Sequence, residues 1–214
     1  MTRILIVDDH PVVAEGWERI AKQCVPCEVH CADSLLGGFQ RYRAVGPDVL
    51  ILDLAFGDNR MGGLRLLRRL RARDRRLAIL VFSMHQSALV AREALHAGAN
   101  GYINKDAALD QIRDAFEAIL DGGDYVSPEL AKRLALLERP GGLSAEATLT
   151  PRELEILGLV AQGKSYRQIS SEICLSYKTV TNNCYSLRNK LNASTLPDLV
   201  LKAIQFFEAR AAPR

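Results

Sequence analysis

The stretch ILIVDDHP, residues 4–11, joins four branched apolar residues directly to two adjacent carboxylates. A continuous apolar run predicts a strand that is buried on both faces, and such strands occur in parallel sheets covered by helices. Asp8 and Asp9 then stand at the carboxyl end of that strand, where their like charges repel each other. The placement implies that a cation offsets the repulsion.

Four more apolar runs follow the first one, each separated from the next by a pattern with helical spacing. They are CEVHCA (27–32), VLILDL (49–54), AILVFS (78–83) and GYIN (101–104). Alternation of strand and helix predicts a doubly wound α/β domain with a parallel sheet of five strands. We place this domain at residues 1–125.

The pattern changes to helices alone in the last third of the chain. Ser127-Pro128 predicts the start of a short helix through Leu137, and the stretch RPGGLS at 139–144 has the composition of a linker. Four helical patterns follow, at about 151–162, 166–173, 177–191 and 197–210. The sequence thus predicts a linker with a short helix at 126–147 and a small all-α domain at 148–214.

Composition and charge restrict the class of protein. With 48% apolar and 25% charged residues the chain is globular, and no run reaches the roughly 18 apolar residues of a membrane helix. The first residues are strand-like and do not resemble a signal peptide, which predicts a cytoplasmic location. Residues 1–143 hold 19 Lys/Arg and 19 Asp/Glu, whereas residues 144–214 hold nine and six, so the net charge of +3 lies in the helical domain. That excess favours an anionic partner there.

Polar side chains stand at the ends of four predicted strands. They are Asp8, Asp9, Asp53, Ser83 and Lys105. Because the carboxyl ends of parallel strands meet at one edge of a doubly wound sheet, we expect these groups to share a crevice. Crowded carboxylates need a cation, and an all-oxygen site suits Mg²⁺. A carboxylate beside that ion is able to attack phosphorus and form an acyl phosphate, while a lysine offsets charge on the phosphoryl oxygens.

The motifs VDD, LILDL, FSMH and YINK, in this order, resemble the receiver domain of bacterial two-component response regulators. The resemblance implies a flavodoxin-like fold, a sensor histidine kinase as partner and Asp53 as the phosphoacceptor. It further implies a set of Mg²⁺ ligands: Asp9, Asp53, the carbonyl of Ala55 and, mainly through water, Asp8. By the same resemblance Ser83, Tyr102 and Lys105 are the switch and phosphate-contacting residues.

The loop after Asp53 departs from the family pattern. Its sequence LAFGDNRMGGL lacks the usual Met-Pro and is slightly longer. Asp58 in this loop either adds a carboxylate to the crevice or faces solvent, and we favour solvent because loops normally run on the surface.

Residues 166–191 have the pattern of a helix-turn-helix, with Cys174-Leu175-Ser176 as the short connection. The second helix contains no acidic residue between 177 and 191, which favours a phosphate-bearing ligand. Its polar face offers groups able to bond base edges and phosphates.

The segment LTPRELEILGLVAQGKSYRQISSEICLSYKTVTNN resembles the DNA-binding domain of LuxR-type regulators. A receiver followed by this domain is typical of the NarL/FixJ class. The resemblance implies base contacts by Thr181, Asn182 and Tyr185, and contacts to the phosphate backbone by Lys178, Thr179, Arg188 and Lys190. The helix from Pro197 resembles the family's dimerisation helix, although an amphipathic core helix has the same pattern.

Together these features predict a response regulator transcription factor and not an enzyme. Phosphorylation of Asp53 would control pairing into a homodimer and binding to a two-fold site on double-stranded DNA. One alternative is a DNA-binding regulator that works without phosphorylation and is controlled by a partner protein. A metal-dependent phosphatase is disfavoured because Ala55, two residues after Asp53, cannot act as a general acid.

A group of cysteines has the spacing of a zinc site: Cys24, Cys27 and Cys31, beside His30. Alternation along a strand instead predicts that Cys27 and Cys31 are buried on one face, with His30 on the other. We favour the second interpretation.

Seven arginines follow one another between residues 65 and 76. A nucleic-acid stripe is one interpretation, but the arginines are spread around the predicted helix. We therefore expect a solvated face, opposite the buried Leu64, Leu67 and Leu70.

Overall fold

The computed structural model describes residues 1–57, 59, 61–137 and 149–208. The chain divides into two compact units. The first is formed by residues 1–84 and 91–131, and the second by residues 85–90 and 132–214. Asp58 and the predicted linker at 139–144 lie outside the described residues.

A parallel sheet of six strands forms the centre of the first unit, in the order β2-β1-β3-β4-β5-β6. The strands are β1 Thr2–Val7, β2 Cys27–Ala32, β3 Val49–Leu52, β4 Ala78–Ser83, β5 Gly101–Asn104 and β6 Tyr125–Val126. In the register of the sheet, Val7 pairs with Leu52, and Leu52 with Val81. The residues that follow these positions, including Asp8 and Asp53, therefore emerge side by side at one edge.

Helices cover both faces of the sheet, as the continuous apolar strands require. The helices are α1 Pro11–Cys24, α2 Leu35–Val45, α3 Gly62–Arg71, α4 Ala88–His96, α5 Leu109–Leu120 and α6 Pro128–Leu137. The first three residues of α4 and the part of α6 after residue 131 belong to the second unit. Helix α1 packs against α5, and α2 packs against α3. The strand order reverses between β1 and β3, which is where ligands bind in such folds.

The core on the α1 and α5 side of the sheet contains an aromatic cluster. Trp17, the only tryptophan, is 1% exposed. Its ring lies edge-on to Phe82 and Phe116, with centroid distances of 5.1 and 5.6 Å. Because these rings come from α1, β4 and α5, burying them holds two helices on the sheet, and each contributes roughly 1.5–3 kcal/mol.

The predicted doubly wound α/β fold is confirmed, but the number of strands was wrong. Strand β6 adds a sixth, pairing Gly101 with Tyr125 and Tyr102 with Val126. Two residues are too few to give a period in the sequence.

Two predictions about side-chain exposure hold only in part. Cys27 is buried as expected, whereas Cys31 is exposed, because β2 lies at the edge of the sheet. The arginine segment forms the expected solvated face at five positions, whereas two arginines are half-buried. The exposed ones are Arg65, Arg69, Arg73, Arg75 and Arg76, and the half-buried ones are Arg68 and Arg71. Helix α3 ends at Arg71, whose guanidinium donates to the carbonyl of Gly98 and to Oδ1 of Asn100, both at 2.9 Å. Burial lowers the pKa of Arg71 from its ordinary value.

Four helices form the main part of the second unit, close to the predicted boundaries. They are α7 Pro151–Ala161, α8 Tyr166–Glu172, α9 Tyr177–Lys190 and α10 Leu196–Glu208. Thr150 with Glu153, and Ser165 with Gln168, form reciprocal capping boxes. Cys174 turns the chain between α8 and α9 with a left-handed φ of 53°.

Helix α10 packs against α7 and α9 within the same unit. Leu199 and Ala203 are 0% exposed, and Phe206 and Phe207 are 9% exposed. Its apolar stripe therefore forms part of this unit's core, while Leu201 is 60% exposed. Among the described residues, no helix combines the length and the apolarity needed to cross a bilayer.

Gly63 leaves no room for a side chain behind the strand that carries Asp53. A Cβ atom at this position would lie 2.1 Å from the carbonyl oxygen of Asp53 and 2.7 Å from Cα of Leu54. Since both are backbone atoms, we expect Gly63→Ala to lower the free energy of unfolding of the first unit by about 2 kcal/mol or more. Urea unfolding followed by Trp17 fluorescence measures this unit alone.

Gly16→Ala is the matched control for this substitution. It lies within α1, and nothing is within 4 Å of an added Cβ atom. It should raise stability by roughly 0.5–1 kcal/mol, as alanine does in a helix interior. A Gly63→Ala protein as stable as the wild type would contradict the close packing at Asp53.

Candidate functional site

The carboxylates of Asp8, Asp9 and Asp53 come together at the carboxyl ends of β1 and β3. Ligand atoms of these residues and of His10 all lie within 4.8 Å of one another. The side chains of Asp8 and Asp53 are only 3% and 2% exposed. Acids this close and this buried repel each other strongly unless cations are present.

Lys105 supplies one such cation from the end of β5. Its Nζ lies 2.7 Å from Oδ2 of Asp8 and 2.7 Å from Oδ2 of Asp53. The backbone N–H of Lys105 donates to the carbonyl of Ser83 at 3.0 Å, which fixes the start of its loop beside β4. The lysine therefore bridges two strand ends that are far apart in the sequence.

The two oxygens of Asp53 have different partners. Oδ1 accepts hydrogen bonds from the backbone N–H groups of Leu54 at 2.6 Å and Ala55 at 3.2 Å. Oδ2 accepts from Lys105. The carboxylate is thus held in one orientation from both sides.

Asp9 has one oxygen with a hydrogen-bond donor and one without. Oδ2 accepts from the N–H of Gly57 at 2.7 Å, and Gly57 has a left-handed φ of 50°. Oδ1 is buried and accepts no hydrogen bond from the described residues. The nearby Nδ1 of His10, at 2.9 Å, forms its hydrogen bond with Asp8. A buried carboxylate oxygen without a donor fits a divalent metal ion.

The remaining predicted residues lie on β4, on β5 and in the loop after β3. Ser83 ends β4 and is 0% exposed, and Tyr102 on β5 is 1% exposed, so its ring lies inside the unit. Ala55 is half-buried and directly follows the strand end. We had not predicted His10 or Gly57. His10 follows the two aspartates directly, whereas the contact of Gly57 spans 48 residues and leaves no signal in the sequence.

Helix α9 has exposed polar residues between positions 177 and 185. Lys178, Thr179, Asn182 and Tyr185 are exposed, and Thr181 is half-buried with its hydroxyl donating to the carbonyl of Tyr177 at 2.9 Å. Tyr185 is 65% exposed. Tyr177, which we had not predicted, is the first residue of the helix and is 54% exposed.

The two cations at the end of α9 are engaged within the unit. Arg188 donates to the carbonyls of Ala193, at 3.4 Å, and of Ser194. Nζ of Lys190 lies 2.6 Å from Oε2 of Glu153. Both cations therefore already have acceptors within the unit.

Glu153 is the buried acceptor at the centre of this arrangement, with a side chain that is 5% exposed. It accepts from Thr150 through the backbone N–H at 2.8 Å and the hydroxyl at 3.0 Å. Ser186 Oγ and Lys190 Nζ each donate at 2.6 Å. Burial alone would raise the pKa of Glu153, but the hydrogen bonds from Lys190, Ser186 and Thr150 outweigh it and lower the pKa to about 2.

Two family models match the two halves of this architecture. The response regulator receiver domain matches residues 4–117, and the luxR family of bacterial regulatory proteins matches residues 147–203. The chain therefore belongs to the response regulators that combine a receiver domain with a LuxR-type domain, and it is a regulator of transcription.

Two relatives align with nearly the whole of this chain. The methanol utilization control regulatory protein MoxX of Paracoccus denitrificans is 49% identical over 96% of this chain and 92% of its own length. The transcriptional activator protein ExaE of Pseudomonas putida is 35% identical over 94% and 95% of the two chains. A solved structure of RcsB from Salmonella enterica serovar Typhimurium has the same fold, with a TM-score of 0.77 at 24% identity, over 95% of this chain and 98% of RcsB.

The lowered pKa of Glu153 predicts an acid-sensitive contribution to stability. The folded value of about 2 lies below the ordinary 4.5, so the contribution is complete above pH 4.5 and is lost as the pH falls towards 2. We expect Glu153→Gln to be less stable than the wild type at pH 7, by up to about 3 kcal/mol, and the difference to shrink at pH 3. Urea unfolding followed by far-UV circular dichroism measures it, with the exposed Glu129→Gln as control. The same difference at both pH values would contradict the lowered pKa.

Proposed function

We propose that a sensor histidine kinase phosphorylates Asp53 and that the acyl phosphate controls dimerisation and binding to double-stranded DNA. The observation that carries the proposal is the position of Lys105 Nζ, 2.7 Å from both Asp8 and Asp53. A buried lysine between a reactive acid and a neighbouring carboxylate is placed to contact the oxygens of a phosphoryl group as it arrives.

The transfer itself is a displacement at phosphorus. A carboxylate oxygen of Asp53 attacks the phosphorus of a phosphohistidine, the P–N bond breaks, and the histidine nitrogen keeps the electron pair and takes a proton. The N–H groups of Leu54 and Ala55 hold the acid in place during the attack. Lys105 exchanges its contact with Asp53 for one with a phosphoryl oxygen.

The acidic crevice would also hold Mg²⁺. We propose Asp9, Asp53 and the carbonyl of Ala55 as direct ligands and Asp8 as a ligand mainly through water. The buried Oδ1 of Asp9, which accepts no hydrogen bond from the described residues, supports this assignment. When bound, the ion neutralises negative charge on the carboxylates and on the transferring phosphoryl group.

Ser83 and Tyr102 are proposed to convert the chemical change into a conformational one. The hydroxyl of Ser83 would donate to the acyl phosphate, and Tyr102 would shift with it. Both side chains are buried, so any movement has to repack the core beside β4 and β5. Phosphorylation then acts by stabilising one of two arrangements.

DNA binding is assigned to the exposed face of α9. We propose Thr181, Asn182 and Tyr185 for base contacts, and Lys178 and Thr179 for the phosphate backbone. The family resemblance adds Arg188 and Lys190 as backbone contacts, but both already have acceptors within the unit. The absence of acidic residues from Tyr177–Lys190 supports the assignment. RcsB, which shares this fold, was solved bound to promoter DNA with the phosphomimetic BeF₃⁻ and, in another structure, as two dimers on DNA.

The proposal includes the domain boundaries 1–125, 126–147 and 148–214. It also treats the chain as a regulator and not as an enzyme, because Ala55 offers no general acid for turnover of the acyl phosphate. A cytoplasmic location stays a prediction.

Substituting Asp53 tests the acceptor directly. Asp53→Ala should abolish incorporation of radioactive phosphate from acetyl phosphate and Mg²⁺, because it removes the attacking oxygen. The wild-type label should be released by hydroxylamine, which cleaves acyl phosphates. Asp110→Ala, at an exposed position in the first turn of α5, is the control and should keep the label. Unchanged labelling of Asp53→Ala would refute the assignment.

The alternative, DNA binding under the control of a partner protein, arises from the atypical loop after Asp53. Beryllofluoride with Mg²⁺ mimics the acyl phosphate and should raise DNA affinity by roughly five- to 150-fold if phosphorylation is the switch. Fluorescence anisotropy with a genomic fragment that the protein protects in a footprint measures the change, and Asp53→Ala should not respond. Equal affinity with and without the mimic would favour the alternative.

A further inference from the structure

We propose that Glu153 is a positioning residue for DNA binding, which holds helix α9 at its angle through Ser186 and Lys190, and that Lys190 is not a phosphate contact. The inference rests on the proposed DNA binding by α9. It assigns Lys190 differently from the family resemblance, which groups this lysine with Lys178.

The geometry connects two helix ends through one carboxylate. Glu153 is the third residue of α7 and closes the capping box with Thr150. Its Oε1 accepts from Ser186, and its Oε2 accepts from Lys190. Ser186 and Lys190 are four residues apart and therefore lie one above the other on the same face of α9. Two attachments on one face fix both the rotation and the tilt of the helix relative to α7.

The burial of Glu153 explains why Lys190 stays with it. A carboxylate that is 5% exposed has little water to replace a lost partner. If Lys190 moved to a DNA phosphate, the protein would retain an uncompensated buried charge, which is strongly unfavourable. Water weakens the attraction between Lys190 and a DNA phosphate more than its attraction to the buried carboxylate of Glu153. Binding to a phosphate would therefore not compensate for the lost contact with Glu153.

Lys178 differs from Lys190 in each of these respects. It lies in the first turn of α9, is exposed, and forms no ion pair with the described residues. Its ammonium is therefore available to a phosphate. The pair Lys178 and Lys190 provides a matched comparison within one helix.

Two of the residues proposed to contact bases lie close to Ser186, one of the two residues of α9 that Glu153 holds. Tyr185 directly precedes Ser186, and Asn182 lies one helical turn before it. A small rotation of α9 about its axis would move both side chains away from their base edges. Loss of the contacts between Glu153 and α9 should therefore weaken DNA binding because α9 is misoriented, and not because a phosphate contact is lost.

Salt dependence separates the two roles. Each phosphate contact contributes about 0.9 to the slope of log affinity against log salt. Lys178→Met should lower that slope by roughly 0.9, whereas Lys190→Met should reduce affinity by roughly tenfold and leave the slope unchanged. The probe is a fluorescein-labelled duplex of about 30 base pairs from the footprinted fragment, titrated with the full chain by anisotropy.

Glu153→Gln completes a double-substitution cycle. Its amide oxygen can still accept from Thr150, and its amide N–H can donate to the hydroxyl of Ser186. It should lower affinity to the same extent as Lys190→Met. The two changes together should cost no more than either one, because the neutral pair leaves no buried charge. Circular dichroism spectra that match the wild type confirm that the variants are folded.

A second measurement needs no substitution. In the wild-type protein, the ¹⁵N signal of the Lys190 ammonium should stay in place when the duplex is added, while that of Lys178 should shift. The inference fails if Lys190→Met lowers the salt slope as Lys178→Met does, if its effect adds to that of Glu153→Gln, or if the Lys190 signal shifts. No protected fragment with the wild-type protein would instead refute the proposed DNA binding.

Discussion

The fold brings three carboxylates to one edge of a sheet, and the cost of their mutual repulsion governs the site. The register of β1 against β3 puts Asp8 next to Asp53 and leaves no freedom to separate them. Lys105 starts from β5 and must cross the end of β4 to reach them, because β4 lies between β3 and β5. At that end the backbone N–H of Lys105 donates to the carbonyl of Ser83 at 3.0 Å. The contact of Lys105 with Asp8 and Asp53 therefore depends both on the strand order and on the length of the lysine side chain.

The second unit also contains a buried carboxylate paired with a lysine, and the comparison explains why the two behave differently. Glu153 receives hydrogen bonds on both oxygens from three residues, so its bonding capacity is used inside the protein. In the crevice, one oxygen of Asp9 accepts nothing from the described residues. A carboxylate whose two oxygens both accept hydrogen bonds stabilises a fixed arrangement. A carboxylate with an oxygen that accepts none retains the ability to bind a ligand. The number of donors around each acid thus distinguishes an anchor from a reactive site.

Local patterns were sufficient to predict most of the architecture. The apolar runs located five strands, and helical spacing located the four helices of the second unit. The convergence of Asp8, Asp53 and Lys105 followed from the geometry of parallel sheets. Strand β6 has only two residues and carries no period, and the exposure of Cys31 depends on its strand being at the edge, which the order of apolar runs does not reveal.

Contacts between distant residues account for what the sequence did not predict. Lys190 lies on the polar side of an amphipathic pattern, and only the fold puts Glu153, 37 residues earlier, within its reach. Arg71 looks like one of many solvated arginines until the turn at Gly98 is seen to accept from it. In both cases a charged side chain at a surface-like position is drawn inward by a partner from another element. The hydrophobic period of a segment carries no information about such contacts with another element.

The loop after Asp53 closes on itself through paired backbone hydrogen bonds between Phe56 and Asn59, of 2.9 and 2.8 Å. After this bridge, the N–H of Gly63 donates to the carbonyl of Leu54 at 3.0 Å, which holds the start of α3 next to the strand end. Residues added to this loop need not change the contact between the strand end and the start of α3. Evolution is therefore able to add or delete residues at this point while the acceptor stays in register with the first strand.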